Sequence, residues 1–89
     1  MPDYNFKRKD VDALLAILNE YGGAVEKFPA FASGHEGYAV IKEELDELWQ
    51  AIKRNEPREN WRREAVQVGA MALRFVADLC GRDKQDETT

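Results

Sequence analysis

The run Ser33-GHEGYAVIKEELDELWQA-Ile52 reads as a single kind of element. It opens on Ser33 and Glu36, the S-x-x-E spacing in which a serine hydroxyl and a glutamate close the first turn of a helix. Tyr38, Ile41, Leu45, Leu48 and Ile52 follow at alternating three- and four-residue intervals, which is the helical period. At about 100° per residue the last four form one narrow apolar stripe, expected to be core. Glu44 and Glu47 lie on one shoulder of that stripe with Val40 and Ala51. Trp49, Tyr38, Lys53 and His35 lie towards the other.

Working outward, the pattern is lost at Lys53-Arg54-Asn55-Glu56-Pro57, and a proline is tolerated in a first helical turn because its missing N–H removes no bond there. A third helix is therefore expected from near Pro57 to Leu79 or Cys80, with Gly81 as its stop. On the other side, Val11, Leu14, Leu15, Leu18 and Tyr21 repeat at helical spacing and predict a first helix from near Asp10. Its end is open between Gly22-Gly23 and a continuation to Phe28, since a glycine in a helix costs only about 1 kcal/mol against alanine. Pro29 to Gly34 read as a loop. Nothing alternates with the period of a strand, so the expected fold is all-α: one helical domain over residues 1–81 and a flexible polar tail over 82–89.

With 89 residues the chain forms one domain with a small core. Hydrophobic residues at 44% and charged residues at 34% give the balance of a folded globular protein. The net charge of -4 argues against a nucleic-acid backbone as the main partner, which calls for a basic surplus. Cys80, the single cysteine, permits no internal disulfide and reads as a packed, inert thiol. No apolar run approaches the roughly 20 residues of a membrane span, and Met1-Pro2-Asp3-Tyr4 begins no signal-peptide core. The expectation is a cytoplasmic protein.

The third helix is apolar on two opposite sides: Val68, Met71, Phe75 and Leu79 on one, Val66, Ala70, Leu73 and Ala77 on the other. A helix of that kind must be buried on both. Two partners from so short a chain hardly suffice, so the subunit is expected to complete a helical bundle by homo-oligomerisation, as a dimer or larger, with the third helix near the interface. Glu64 projects from the middle of the first of these faces, with Gln67 at its edge. An unpaired carboxylate buried there costs several kcal/mol or becomes protonated, which calls for a cation, a metal or a strong hydrogen-bond partner.

Glu44 and Glu47 are three residues apart, as are Glu64 and Gln67. If the second and third helices form an antiparallel pair around Pro57, the two pairs stand at similar height. Oxygen ligands converging from two helices suit Mg²⁺ or Mn²⁺, which keep waters for a phosphate to displace.

Glu43-Glu44-x-x-Glu47, followed after sixteen residues by Glu64-x-x-Gln67, resembles the EExxE and ExxD motif pair of MazG-like all-α nucleoside triphosphate pyrophosphohydrolases. The resemblance covers about His35 to Leu79, and the strings His35-Glu36-Gly37-Tyr38-Ala39-Val40-Ile41 and Gln67-Val68-Gly69-Ala70-Met71-Ala72 are similar to short bacterial and phage members. It implies Mg²⁺-dependent cleavage of a nucleoside triphosphate to the monophosphate and pyrophosphate. It implies also that Glu44, Glu47, Glu64 and Gln67 are metal ligands and that Glu43 is a further ligand or orients the attacking water. Lys53, Arg54 or Arg74 would contact phosphates, and Trp49 or Tyr38 would stack a base. The departure is Gln67, an uncharged amide where the family has aspartate. An alternative is then a non-catalytic helical dimer that binds a nucleotide or protein partner. A DNA-binding regulator using Arg58, Arg62 and Arg63 fits the acidic balance least.

Overall fold

A computed structural model describes residues 3–81; the tail expected over 82–89 lies outside the described residues. Three helices, α1 (Arg8–Lys27), α2 (Gly34–Lys53) and α3 (Arg58–Leu79), account for most of the described chain, and no strand occurs among the described residues. The open question at Gly22-Gly23 is answered by continuation: α1 runs through both to Lys27. None of the helices is long and apolar enough to cross a membrane.

The helix ends follow from their side chains. Asp10 accepts from the Lys7 N–H at 2.9 Å and the Tyr4 hydroxyl at 2.8 Å, which fastens the start of α1. Ser33 accepts from the Glu36 N–H at 3.1 Å, while the Glu36 carboxylate reaches back to the Ala32 N–H at 2.7 Å, one residue beyond the usual capping box. The end of α2 closes as a Schellman turn. Asn55 takes the left-handed conformation (φ 54°), its N–H donates to Ile52 O, and that of Glu56 donates to Ala51 O. Pro57 stands just before the first turn of α3, and Cys80 caps its end.

The helix α3 lies between the other two: α1 and α2 each pack on it and make no contact with each other. Glycines permit both close approaches. A Cβ on Gly69 would come within 2.9 Å of Ile17 Cδ1 on α1, and one on Gly37 of α2 within 2.6 Å of Phe75 Cδ2. Near the α2–α3 turn, the Trp61 indole donates to Ala51 O at 3.2 Å. The core consists of Ala24, Phe31, Ala70 and Met71, with Ile17, Tyr21, Val40, Ile41, Phe75 and Leu79 packed around it.

This packing corrects one expectation. The stripe of α2 is not core throughout, since Leu45 is 50% exposed and Ile52 37%. The contact between Gly37 and Phe75 draws the smaller side of α2 against α3, so Gly37 and Ala51 are buried and the burial is rotated towards the acidic shoulder. On α1, Leu14, Leu15 and Leu18 are exposed, and Ile17 and Ala24 make the contact. On α3, Val76 is the exposed large apolar residue among those described.

Candidate functional site

Between α1 and α2, over α3, lies a cleft of about 570 Å³. Its closed end is built by the link from α1 to α2. Arg74 of α3, 3% exposed, donates to Ala24 O at 3.3 Å and to Phe28 O and Pro29 O at 2.6 Å each. Its Nε pairs with Asp78 at 3.1 Å, and Asp78 accepts the Phe31 N–H at 3.0 Å. Arg74 also stands over the Phe31 ring, 5.4 Å from its centroid. Read as an exposed phosphate contact, Arg74 is instead a buried clamp whose donors are taken up by backbone carbonyls and one carboxylate. Phe28, Pro29, Phe31, Val40 and Met71 make the cleft's apolar wall; Glu20, Glu36, Glu44, Gln67, Lys27 and Asn19 supply its polar groups.

Successive turns of α2 deliver the acids. Carboxylate oxygens of Glu43, Glu44 and Glu47 lie within 4.8 Å of one another. Glu44 is the half-buried member, whereas Glu43 and Glu47 are exposed. Burial pushes the Glu44 carboxyl above its ordinary range, and the charges of Glu47, Glu64, Glu43 and Glu20 raise it further. Glu64 stands outside the α2 cluster, close enough to add its charge to Glu44. It is half-buried rather than buried among Val68, Met71 and Phe75, of which only Met71 is itself buried, because α2 covers that side of α3 incompletely. Gln67 lines the same cleft as Glu44.

The ion pairs among the described residues all use aspartates: Arg8–Asp12, Lys9–Asp10, Lys42–Asp46 and Arg74–Asp78. None neutralises Glu20, Glu43, Glu44, Glu47 or Glu64. The other expected substrate contacts are not brought to this cleft. Tyr38 and Trp49 are exposed at 63% and 54%, and Lys53 sits over the Trp49 ring at 5.7 Å, all on the side of α2 turned away from the acids. Glu20 and Lys27 are site residues that the motif reading missed. Their signal was phase on α1: Glu20 falls between Ile17 and Ala24 on the side that meets α3, and Lys27 follows it by two turns.

Compared with known proteins, the chain matches no protein-family model, no curated protein and no solved structure.

Proposed function

We propose that this chain is a Mg²⁺-dependent nucleoside triphosphate pyrophosphohydrolase of the MazG-like class, with Mn²⁺ as a possible substitute, acting as a cytoplasmic homo-oligomer. The observation that carries the reading is Glu44: half-buried, without a cationic partner among the described residues, and surrounded by four further carboxylates from all three helices. Such a set repels itself, and a divalent cation bound to the folded state would offset the repulsion.

In this reading Glu44, Glu47 and Glu64 hold the cation through carboxylate oxygens and Gln67 through its amide oxygen. Glu43, at the exposed edge, orients the attacking water. The cation would polarise the phosphoryl group and neutralise charge that develops on its oxygens. The apolar wall of the cleft stands beside Glu44, and the volume is sufficient for a nucleotide-sized ligand. An antiparallel α2–α3 pair is supported by its two ends, Ala51 with Trp61 beside the turn and Gly37 with Phe75 far from it. Oligomerisation is supported by the thinness of the core: no large side chain among the described residues is fully buried.

Gln67 favours a second reading, a non-catalytic helical dimer that binds a nucleotide or protein partner, because an amide ligand brings no charge to the cation. A panel of canonical and modified nucleoside triphosphates with Mg²⁺ or Mn²⁺, scored for pyrophosphate, separates the two. Release by the wild type and its loss in Glu44→Gln is the expected result. Activity appearing only in Gln67→Asp assigns the second reading, and no release from either protein sinks the enzyme.

A further inference from the structure

Seen along its length, the cleft is built in three levels. On α1, successive turns of one face line it: Asn19 and Glu20, then Gly23 and Ala24, then Lys27 and Phe28. Contacts with the other helices fix each level. The charge of Glu20 reaches Glu44 across the first. Ala24, Val40 and Met71 belong to one apolar cluster in the second. In the third, Arg74 holds the carbonyls of Phe28 and Pro29. One end is therefore acidic, the middle apolar and the far end closed by the α1–α2 link, with about 5.4 Å from one turn of α1 to the next.

The middle level has an open place. A Cβ on Gly23 would meet nothing within 4 Å, whereas at Gly37 and Gly69 a neighbouring side chain presses on the backbone and accounts for the glycine. Nor does its conformation require one, since no glycine among the described residues has positive φ. Openness alone identifies nothing, because Gly22 shares it. What separates the two is place: Gly23 lines the cleft and Gly22 does not. A side chain at position 23 would enter the cleft beside Val40 and Met71. Glycine there weakens the helix and leaves the full width of the middle level to a ligand.

The order of the levels orients that ligand. Phosphates held through a cation belong at the acids. The far end offers them only Lys27, exposed at its rim, because Arg74 is engaged by carbonyls and Asp78. We infer that the nucleoside part of a nucleotide lies in the middle level against the bare backbone at Gly23, its phosphates towards Glu44 and its base towards Phe28 and Phe31. Gly23 is then the residue that sets the width of the nucleoside slot. The inference rests on the nucleotide reading of the cleft and not on hydrolysis.

Calorimetric titration of the full chain in Mn²⁺ tests it with two kinds of probe, the α,β-methylene analogues of deoxyadenosine and deoxycytidine triphosphate, and inorganic tripolyphosphate, which has the phosphates without the nucleoside. Wild type is expected to bind at least one analogue about ten-fold or more tighter than tripolyphosphate. Gly23→Leu is expected to remove that advantage, a loss of about ten-fold or more from filling the slot, with tripolyphosphate binding unchanged. Gly23→Ala keeps the test open if leucine prevents folding: it and Gly22→Ala should both raise the melting temperature, as alanine is the better helix former, yet only Gly23→Ala should weaken the analogue. Analogues bound no tighter than tripolyphosphate, no saturable binding to wild type, or analogue affinity unchanged in the folded Gly23 variants would overturn the inference. Pyrophosphate release by a protein whose Gly23 variants bind as wild type does sinks this inference alone; binding lost on Gly23→Leu without any release by wild type sinks the hydrolase alone.

Discussion

Arg74 shows how far a single residue's meaning depends on its neighbours. In the sequence it is one of several arginines on a long helix; in the fold it ties α3 to the end of α1 and to the link before α2. The Asp78 carboxylate four residues on was the available signal, since an i,i+4 pair on a face with Met71 and Phe75 is placed to be buried rather than solvated. Replacing Arg74 by methionine leaves Asp78 and three carbonyls without their partner, and about 3–5 kcal/mol of unfolding free energy is expected to be lost in urea titrations. Lysine should recover little of it, because an ammonium cannot reproduce the planar fork. Glu44 makes a prediction with the opposite sign to that of a paired carboxylate. Its raised pKa means that the folded chain holds this proton more tightly than the unfolded chain does. The corresponding stability is present below the ordinary carboxyl value of 4.5 and is lost as pH rises through the raised one. Metal-free protein should therefore melt at lower temperature at neutral than at mildly acid pH through this group. Glu44→Gln should flatten that slope. Mn²⁺ at neutral pH should reverse the order, stabilising wild type above the variant.

At the scale of elements, the three helices were legible because their signals are local: the Ser33 and Glu36 cap, the Pro57 start and the intervals of the apolar residues. What was not legible is which side of each helix is pressed against its neighbour. Large apolar residues weigh most in a sequence pattern, so Leu45 and Ile52 read as core, yet the contact is made by Gly37, whose lack of a Cβ lets the Phe75 ring approach. Gly37→Ala should force that ring aside and cost roughly 1–3 kcal/mol, even though alanine is the better helix former. Asn55 carries a second element-level test at the Schellman turn. Asn55→Ala should destabilise by about 1–2 kcal/mol because a Cβ disfavours positive φ, while Asn55→Gly should be near neutral. Both are read as midpoint shifts in denaturant titrations. A matching loss in both Asn55 variants would mean that the side chain, not the backbone conformation, matters there.

In the whole molecule, α1 and α2 each pack on α3 and leave the acid-lined cleft between them. The acids of α2 and Glu64 could be read from the motif; Glu20 could not, because its part depends on α1 passing the same end of the cleft as Glu44. Phase also explains why Tyr38, Trp49 and Lys53, though close to the acids in sequence, point elsewhere in space. A divalent cation bound beside Glu44, as proposed, would relieve the repulsion among the carboxylates around it. Isothermal calorimetry of Mn²⁺ binding to metal-free wild type, Glu44→Gln and Glu64→Gln tests this most directly. The account predicts saturable binding to the wild type and affinities weakened at least about ten-fold in both variants, the loss that even outer-sphere partners of a metal produce. Absence of saturable heat in the wild type, or equal affinity in all three proteins, would contradict it.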